Sequence, residues 1–277
     1  MSIEALLPLV TYPDPADASV PANATKMVQL LGARLYALAI EVRVPEVSNA
    51  LAGTLLDLSK VIKDTEAASR KRGEALLRAI AENAQSLGVE HEELSLRLLE
   101  AEFGTGAMVA ARYHDVTLLG WEPDSRCVRT IAEALIFDSG RPVLLMPKTV
   151  PTAADHIAIA WDGSRVAARA VADAFRVFGS AKSASVIVVT DEKAIKDTTA
   201  ADRLASYLER RGLQAEAHQV RTKGRRIGDT LQAEAKAIGA DVLVMGAYGH
   251  SRLRQFVLGG ATSNILDDLQ LPVLLSH

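Results

Sequence analysis

The residues of this chain that could do chemistry are glycines set at fixed intervals after an apolar run. Asp241-Val242-Leu243-Val244-Met245 leads into Gly246-Ala247-Tyr248-Gly249, nine residues follow, and Gly259-Gly260-Ala261-Thr262 then opens a helical stretch. Glycine lets the backbone turn with positive φ and lets a ligand approach bare N–H groups. The start of a following helix adds unpaired donors and a partial positive charge. Phosphate is the guest that such a loop suits. Hydrogen bonds to a charged group are worth roughly 1.5–3 kcal/mol each, so about three or four of them supply a micromolar site after ordering costs.

Other catalytic constellations are missing. The chain has no P-loop pattern, no H-E-x-x-H zinc motif and no G-x-S-x-G elbow. His250, beside Gly249, is the one obvious base within reach of a bound phosphate. The same ring could donate a hydrogen bond or cap the loop, and that passive role is the one favoured, so no catalytic residue is assigned. Cys127 is the single cysteine, which excludes an internal disulfide and any multi-cysteine metal site; it reads as a small packed residue.

The elements that must position the loop follow from hydrophobic patterning. In the second half, strand signals at 156–161, 184–190, 214–220, 241–245 and 272–275, most of them apolar runs, alternate with helical spacing at 165–178, 199–211, 227–238 and 260–269. Continuous Val, Ile and Leu strands joined by helices imply a parallel sheet covered on both faces. In such a sheet ligands bind beyond the carboxyl ends of the strands where the strand order reverses, which sets Asp162 opposite Gly246. Asp162, in Ala160-Trp161-Asp162-Gly163-Ser164, can accept hydrogen bonds from ribose or a base amino group, or can cap the helix from Arg165; the sequence weighs the two equally.

An internal repeat divides the chain. Asp115-Val116-Thr117-Leu118-Leu119-Gly120 matches Asp241 to Gly246, and Pro142-Val143-Leu144-Leu145 matches Pro272-Val273-Leu274-Leu275. Between the copies, Pro147 to Asp155 holds two prolines and suits a linker. The fold class expected is therefore α/β, two tandem doubly wound parallel-sheet domains spanning 1–148 and 154–277. The first copy carries a long helical region over 47–86, whose Arg70-Lys71-Arg72 reads as a solvated face. Gly104-Thr105-Gly106 lacks a third glycine and reads as a turn. Pro123 stands where Gly249 stands in the repeat, and Asp14, the nearest match to Asp162, is followed by proline, so no nucleotide is expected in the first half.

Ile157 to Ser164, the Gly246-x2-Gly249-x9-Gly259 spacing and the closing Pro272-Val273-Leu274-Leu275 together resemble the universal stress protein family in its ATP-binding class, and the whole chain resembles a tandem member. The resemblance implies a stress-response or regulatory protein with at most slow ATP turnover. The residues it assigns to the nucleotide (ATP, or ADP or AMP, with Mg2+ as a possible companion) are Ala160, Asp162, Val189, Met245, Gly246, Gly249, Gly259, Gly260, Ala261 and Thr262. Family members usually carry Ser or Thr where Gly260 stands. That loses one neutral hydrogen bond, worth about 0.5–1.5 kcal/mol, and weakens phosphate binding several-fold. The resemblance also implies that the two Pro-Val-Leu-Leu strands pair across a pseudo-twofold axis, with further homodimerisation of the chain plausible.

Composition sets the remaining bounds. The 277 residues are 49% hydrophobic and 23% charged with a net charge of −3, which is globular and gives no electrostatic footprint for nucleic acid. Glu4 stands where a signal peptide would carry positive charge and no apolar run approaches a membrane span, so a cytoplasmic protein is expected.

Overall fold

A computed structural model describes residues 2–45, 58–191, 199–247 and 260–277. The first half runs β1 (Ile3–Val10), α1 (Val20–Leu31), β2 (Ala33–Val42), α2 (Leu58–Leu87), β3 (His91–Leu98), α3 (Phe103–Ala111), β4 (Val116–Gly120), α4 (Arg126–Asp138) and β5 (Val143–Met146). The second runs β6 (His156–Ala160), α5 (Arg165–Val177), β7 (Ser183–Val189), α6 (Ala200–Glu209), β8 (Gln214–Val220), α7 (Ile227–Ala237), β9 (Val242–Gly246), α8 (Ala261–Asp267) and β10 (Val273–Ser276).

All ten strands form one sheet in the order β3-β2-β1-β4-β5-β10-β9-β6-β7-β8. Each half contributes five parallel strands whose order reverses after its first strand, which is the doubly wound arrangement. The one antiparallel pair is β5 with β10, where Val273, Leu274 and Leu275 face Leu145, Leu144 and Val143. The closing strands of the two copies therefore meet at the centre of the sheet. The free edges lie at β3 and β8, where Glu92, Glu93, Arg97 and Glu216 supply the charge that discourages further pairing.

The repeat has a structural cause at the amino end of its strands. Asp115 Oδ2 accepts the Glu4 N–H at 3.0 Å, and Asp241 Oδ2 accepts those of Asp155 and His156 at 2.9 and 3.0 Å. Each aspartate ties the first strand of its half to the fourth.

Alternating side chains divide the interior between the two faces. Leu7, Leu9, Leu118, Leu144, Ile157, Ile159, Val244 and Leu274 pack under α1, α2, α5 and α6. Leu6, Leu119, Val143, Leu145, Leu243, Val273 and Leu275 pack under α3, α4, α7 and α8. Both layers run through the β5–β10 seam from one half into the other.

Two expectations change. Gly104-Thr105-Gly106 is not a turn but lies in α3, where an added Cβ at Gly104 would come within 3.3 Å of the Thr130 carbonyl of α4, and one at Gly106 within 2.3 Å of Leu98 Cδ1. These glycines let α3 lie close to its neighbours, which overrides their poor helix propensity. Helix α1, which apolar periodicity places over 24–31, starts earlier, at Val20 with Pro21 in its first turn, where proline's missing N–H costs nothing.

Leu274 is fully buried at the seam. Leu274→Ala should lower stability by about 2–5 kcal/mol, and urea unfolding should remain a single transition because the seam belongs to both halves. Separate melting of the two halves would contradict a shared core.

Candidate functional site

The order reversal in the second half lies between β6 and β9, which are paired in parallel with Ile159 opposite Val244. That register sets Ala160, the last residue of β6, level with Met245, and Asp162 just beyond the strand end beside Gly246. Ala160 also pairs with Ile187 of β7, so Val189 ends its strand two residues further along the same rim. Gly260, Ala261 and Thr262 begin α8, which connects β9 to β10 and so returns from the carboxyl end of the sheet. Gly249, His250 and Gly259, also assigned from the sequence, lie outside the described residues.

Two close approaches hold the rim together. A Cβ on Gly246 would stand 2.6 Å from the Ala167 nitrogen and from the Val166 carbonyl carbon, so only glycine lets β9 end against the first turn of α5. A Cβ on Gly228 would stand 2.7 Å from the Ala261 carbonyl oxygen, so α7 presses on the first turn of α8. Further along α8, buried Gln232 donates to the Asp268 carbonyl at 2.8 Å and accepts from the Gln270 N–H at 2.8 Å. Arg226 pairs with Asp267 at 2.9 Å. Gly260 itself has extended backbone, with φ −179°, and nothing within 4 Å of the place a Cβ would occupy. Neither backbone nor packing demands glycine there, and a hydroxyl-bearing side chain would fit.

The helix cap weighed for Asp162 belongs to another residue. Ser164 Oγ accepts the Ala167 N–H at 3.2 Å and is the N-cap of α5, while Asp162 Oδ1 accepts the Ser164 N–H at 3.0 Å across the left-handed Gly163. Asp162 thus shapes the turn, with its side chain at the exposed rim. Asp191, just past β7, was not picked from the sequence, although an acid directly after a β-branched run is a readable signal. It accepts from the Thr222 N–H at 2.9 Å and the Thr222 hydroxyl at 3.0 Å, which joins the ends of β7 and β8. The Thr222 backbone hydrogen bond is the main reason that its carboxyl is held below the usual carboxylate range.

The equivalent crevice in the first half is filled. The space lined by Asp17, Gly120, Glu122 and Lys148 is about 10 Å³, enough for one water. Asp17 Oδ1 accepts the Ser19 N–H at 2.9 Å and hydroxyl at 2.7 Å, and its N–H donates to Glu122 Oε1 at 3.0 Å. These Ser19 hydrogen bonds, aided by Lys148, hold the Asp17 carboxyl ionised below its ordinary range. Helix α2 closes the rim from above: Ser69 Oγ lies 2.6 Å from Thr11 Oγ1 and accepts the Val42 N–H at 2.9 Å. Arg72, on the face read as merely solvated, donates to the Thr11 and Pro13 carbonyls at 3.3 and 3.4 Å.

Trp121 follows β4 as Ala247 follows β9; it is buried, and its Nε1–H donates to the Leu266 carbonyl of α8 at 2.9 Å. The first half thus touches the helix that closes the candidate site. Among the described residues no cluster of metal-ligating side chains occurs, and no helix is long and apolar enough to cross a membrane.

Comparison with known proteins agrees with this architecture. Residues 154–277 match the model of the Universal stress protein family. The whole chain is similar to a universal stress protein from Archaeoglobus fulgidus DSM 4304, at 16% identity and a TM-score of 0.71, with 100% of this chain and 96% of that chain covered. It is also similar to a functionally unknown protein from Pseudomonas aeruginosa PAO1, at 16% identity and a TM-score of 0.56, covering 99% of this chain and 92% of that one. At these identities the likeness establishes the fold: two tandem universal-stress-protein-like folds in one chain. No curated protein matches the sequence.

Two measurements test the local account. Gly246→Ala should cost about 1–3 kcal/mol in urea unfolding, because the displaced atoms are backbone rather than a flexible side-chain end. Burial raises the Cys127 thiol from 9.0 to about 11, with Glu100 and Asp14 adding to it. The native thiol should therefore react with iodoacetamide at pH 8 about 100-fold more slowly than in the unfolded chain, in proportion to its thiolate fraction. Equal rates would mean that Cys127 is not held in this environment.

Proposed function

We propose that the second half binds one adenine nucleotide (ATP, ADP or AMP, with Mg2+ accompanying ATP) and that the chain is a regulatory stress-response protein whose first half is a scaffold. The observation that carries this reading is the contrast between two crevices built on one plan. In the second half the rim carries Asp162, Gly246 and the start of α8, and none of the described residues comes within 4 Å of the place a Cβ on Gly260 would occupy. In the first, acidic side chains and α2 occupy the same place.

The residues present suit such a ligand. Ribose hydroxyls or the base amino group would donate to Asp162, the strand ends at Ala160, Val189 and Met245 would offer backbone groups to the base, and the N–H groups from Gly246 to Thr262 would meet the phosphates. Carboxylates at Asp17 and Glu122 would repel phosphate in the first half. The stress-response role rests on the family of residues 154–277.

Calorimetric titration of the nucleotide-stripped protein with ATP and Mg2+ tests this, alongside Gly249→Pro, which copies the residue found at Pro123. One site per chain, lost in the variant, is expected. Absence of heat and of any thermal shift with ATP, ADP and AMP would overturn the nucleotide reading.

A further inference from the structure

A second cavity lies at the opposite end of the second half, beneath α5 and α6, at the amino end of β6. Its volume is about 170 Å³. Ile157 and Ile159 of β6 form its floor, Val171, Ala174 and Phe175 of α5 form one wall, and Leu208 forms the other. Arg211 stands at the mouth, its guanidinium 5.6 Å from the centre of the Phe175 ring and 5.3 Å from that of Tyr207. The two rings meet edge to face at 6.1 Å.

Size and wall chemistry define what fits. The space is open to solvent on one side, and its volume is enough for a single aromatic ring with small substituents against Ile157, Ile159, Val171 and Phe175. The ends of α5 and α6 both point here, Phe178 being the last cap of one and Arg210 of the other. Their carbonyls carry partial negative charge, which disfavours an anion, while Arg211 disfavours a cation. The mouth balances the two signs, leaving neutral molecules as the class admitted.

We propose that this cavity is a binding site for a small uncharged aromatic molecule, separate from the nucleotide crevice and independent of whether that crevice is used. Entry proceeds past Arg211, whose exposed side chain lies over the two rings.

The test uses the full chain and three single-ring probes that differ in charge: benzene, benzoate and benzylamine. Benzene at about ten times its Kd should raise Tm by about 2–4 °C, and the two charged probes should give less than half of that. Nuclear Overhauser effects from benzene to the Ile157 and Val171 methyls should locate it. Ala174→Leu fills the space from α5 and Ala181→Leu from the turn between α5 and β7, whose Ala181 also lines it, and at least one should fold normally while losing the benzene shift. No benzene shift in the wild type, or contacts to methyls elsewhere, would overturn the proposal. So would an equal shift with benzoate or benzylamine, or an undiminished shift in a folded filled variant.

Discussion

The antiparallel meeting of β5 and β10 is the constraint on which the rest of the molecule depends. Each half alone would end in a short, largely apolar strand with one row of backbone donors and acceptors unpaired, a state that a stable fold must cover. Pairing Leu144 with Leu274 and Val143 with Leu275 satisfies that row and joins the apolar layers on both faces of the sheet. Charge is then left to the outer strands β3 and β8, where pairing stops. One chain thereby achieves the closure that two separate single-sheet domains would need an interface to reach.

That closure permits the halves to diverge. The aspartates that tie first to fourth strand, Asp115 and Asp241, and the glycines that end the fourth strand, Gly120 and Gly246, occur in both copies. They serve the scaffold. What differs lies at the carboxyl rim, where the first half places Glu122, Asp17 and the long α2 while the second keeps Asp162, Gly163 and Ser164 in an open turn. A rim can be lost without losing the fold, because its residues contribute little to the apolar layers beneath. Trp121 gives the altered half a remaining structural duty, since its indole reaches across to α8.

Much of this was legible in the chain itself. Uninterrupted Val, Ile and Leu runs separated by helical spacing specify buried parallel strands, since no half-exposed strand has that pattern. The repeat of Asp115 to Gly120 in Asp241 to Gly246 places two copies of one unit, and the spacing from Gly246 to Gly259 marks the rim that faces Asp162. Ser164 could have been recognised as the cap of α5 from its position alone, because serine directly before a helical run is a preferred N-cap.

Other features required the third dimension. Two glycines in Gly104-Thr105-Gly106 argue locally for a turn, yet they lie in helix α3, where the Thr130 carbonyl and the Leu98 side chain come close enough to favour a residue without a Cβ. Exposed basic residues at 70–72 argue for a solvated face, yet Arg72 and Ser69 close the first crevice because α2 passes over the ends of β1 and β2. Nor does any spacing foretell the cavity bounded by Ile157, Ala174 and Leu208, which lies over β6 where α5 packs toward β9 and β10 and α6 toward β7 and β8. Periodicity reports which face of an element is buried, and so the sequence by itself determined the strands, the helices and the plan of two copies. Which elements touch, and how closely, depends on distances between residues far apart in the chain, and only the tertiary structure decided those.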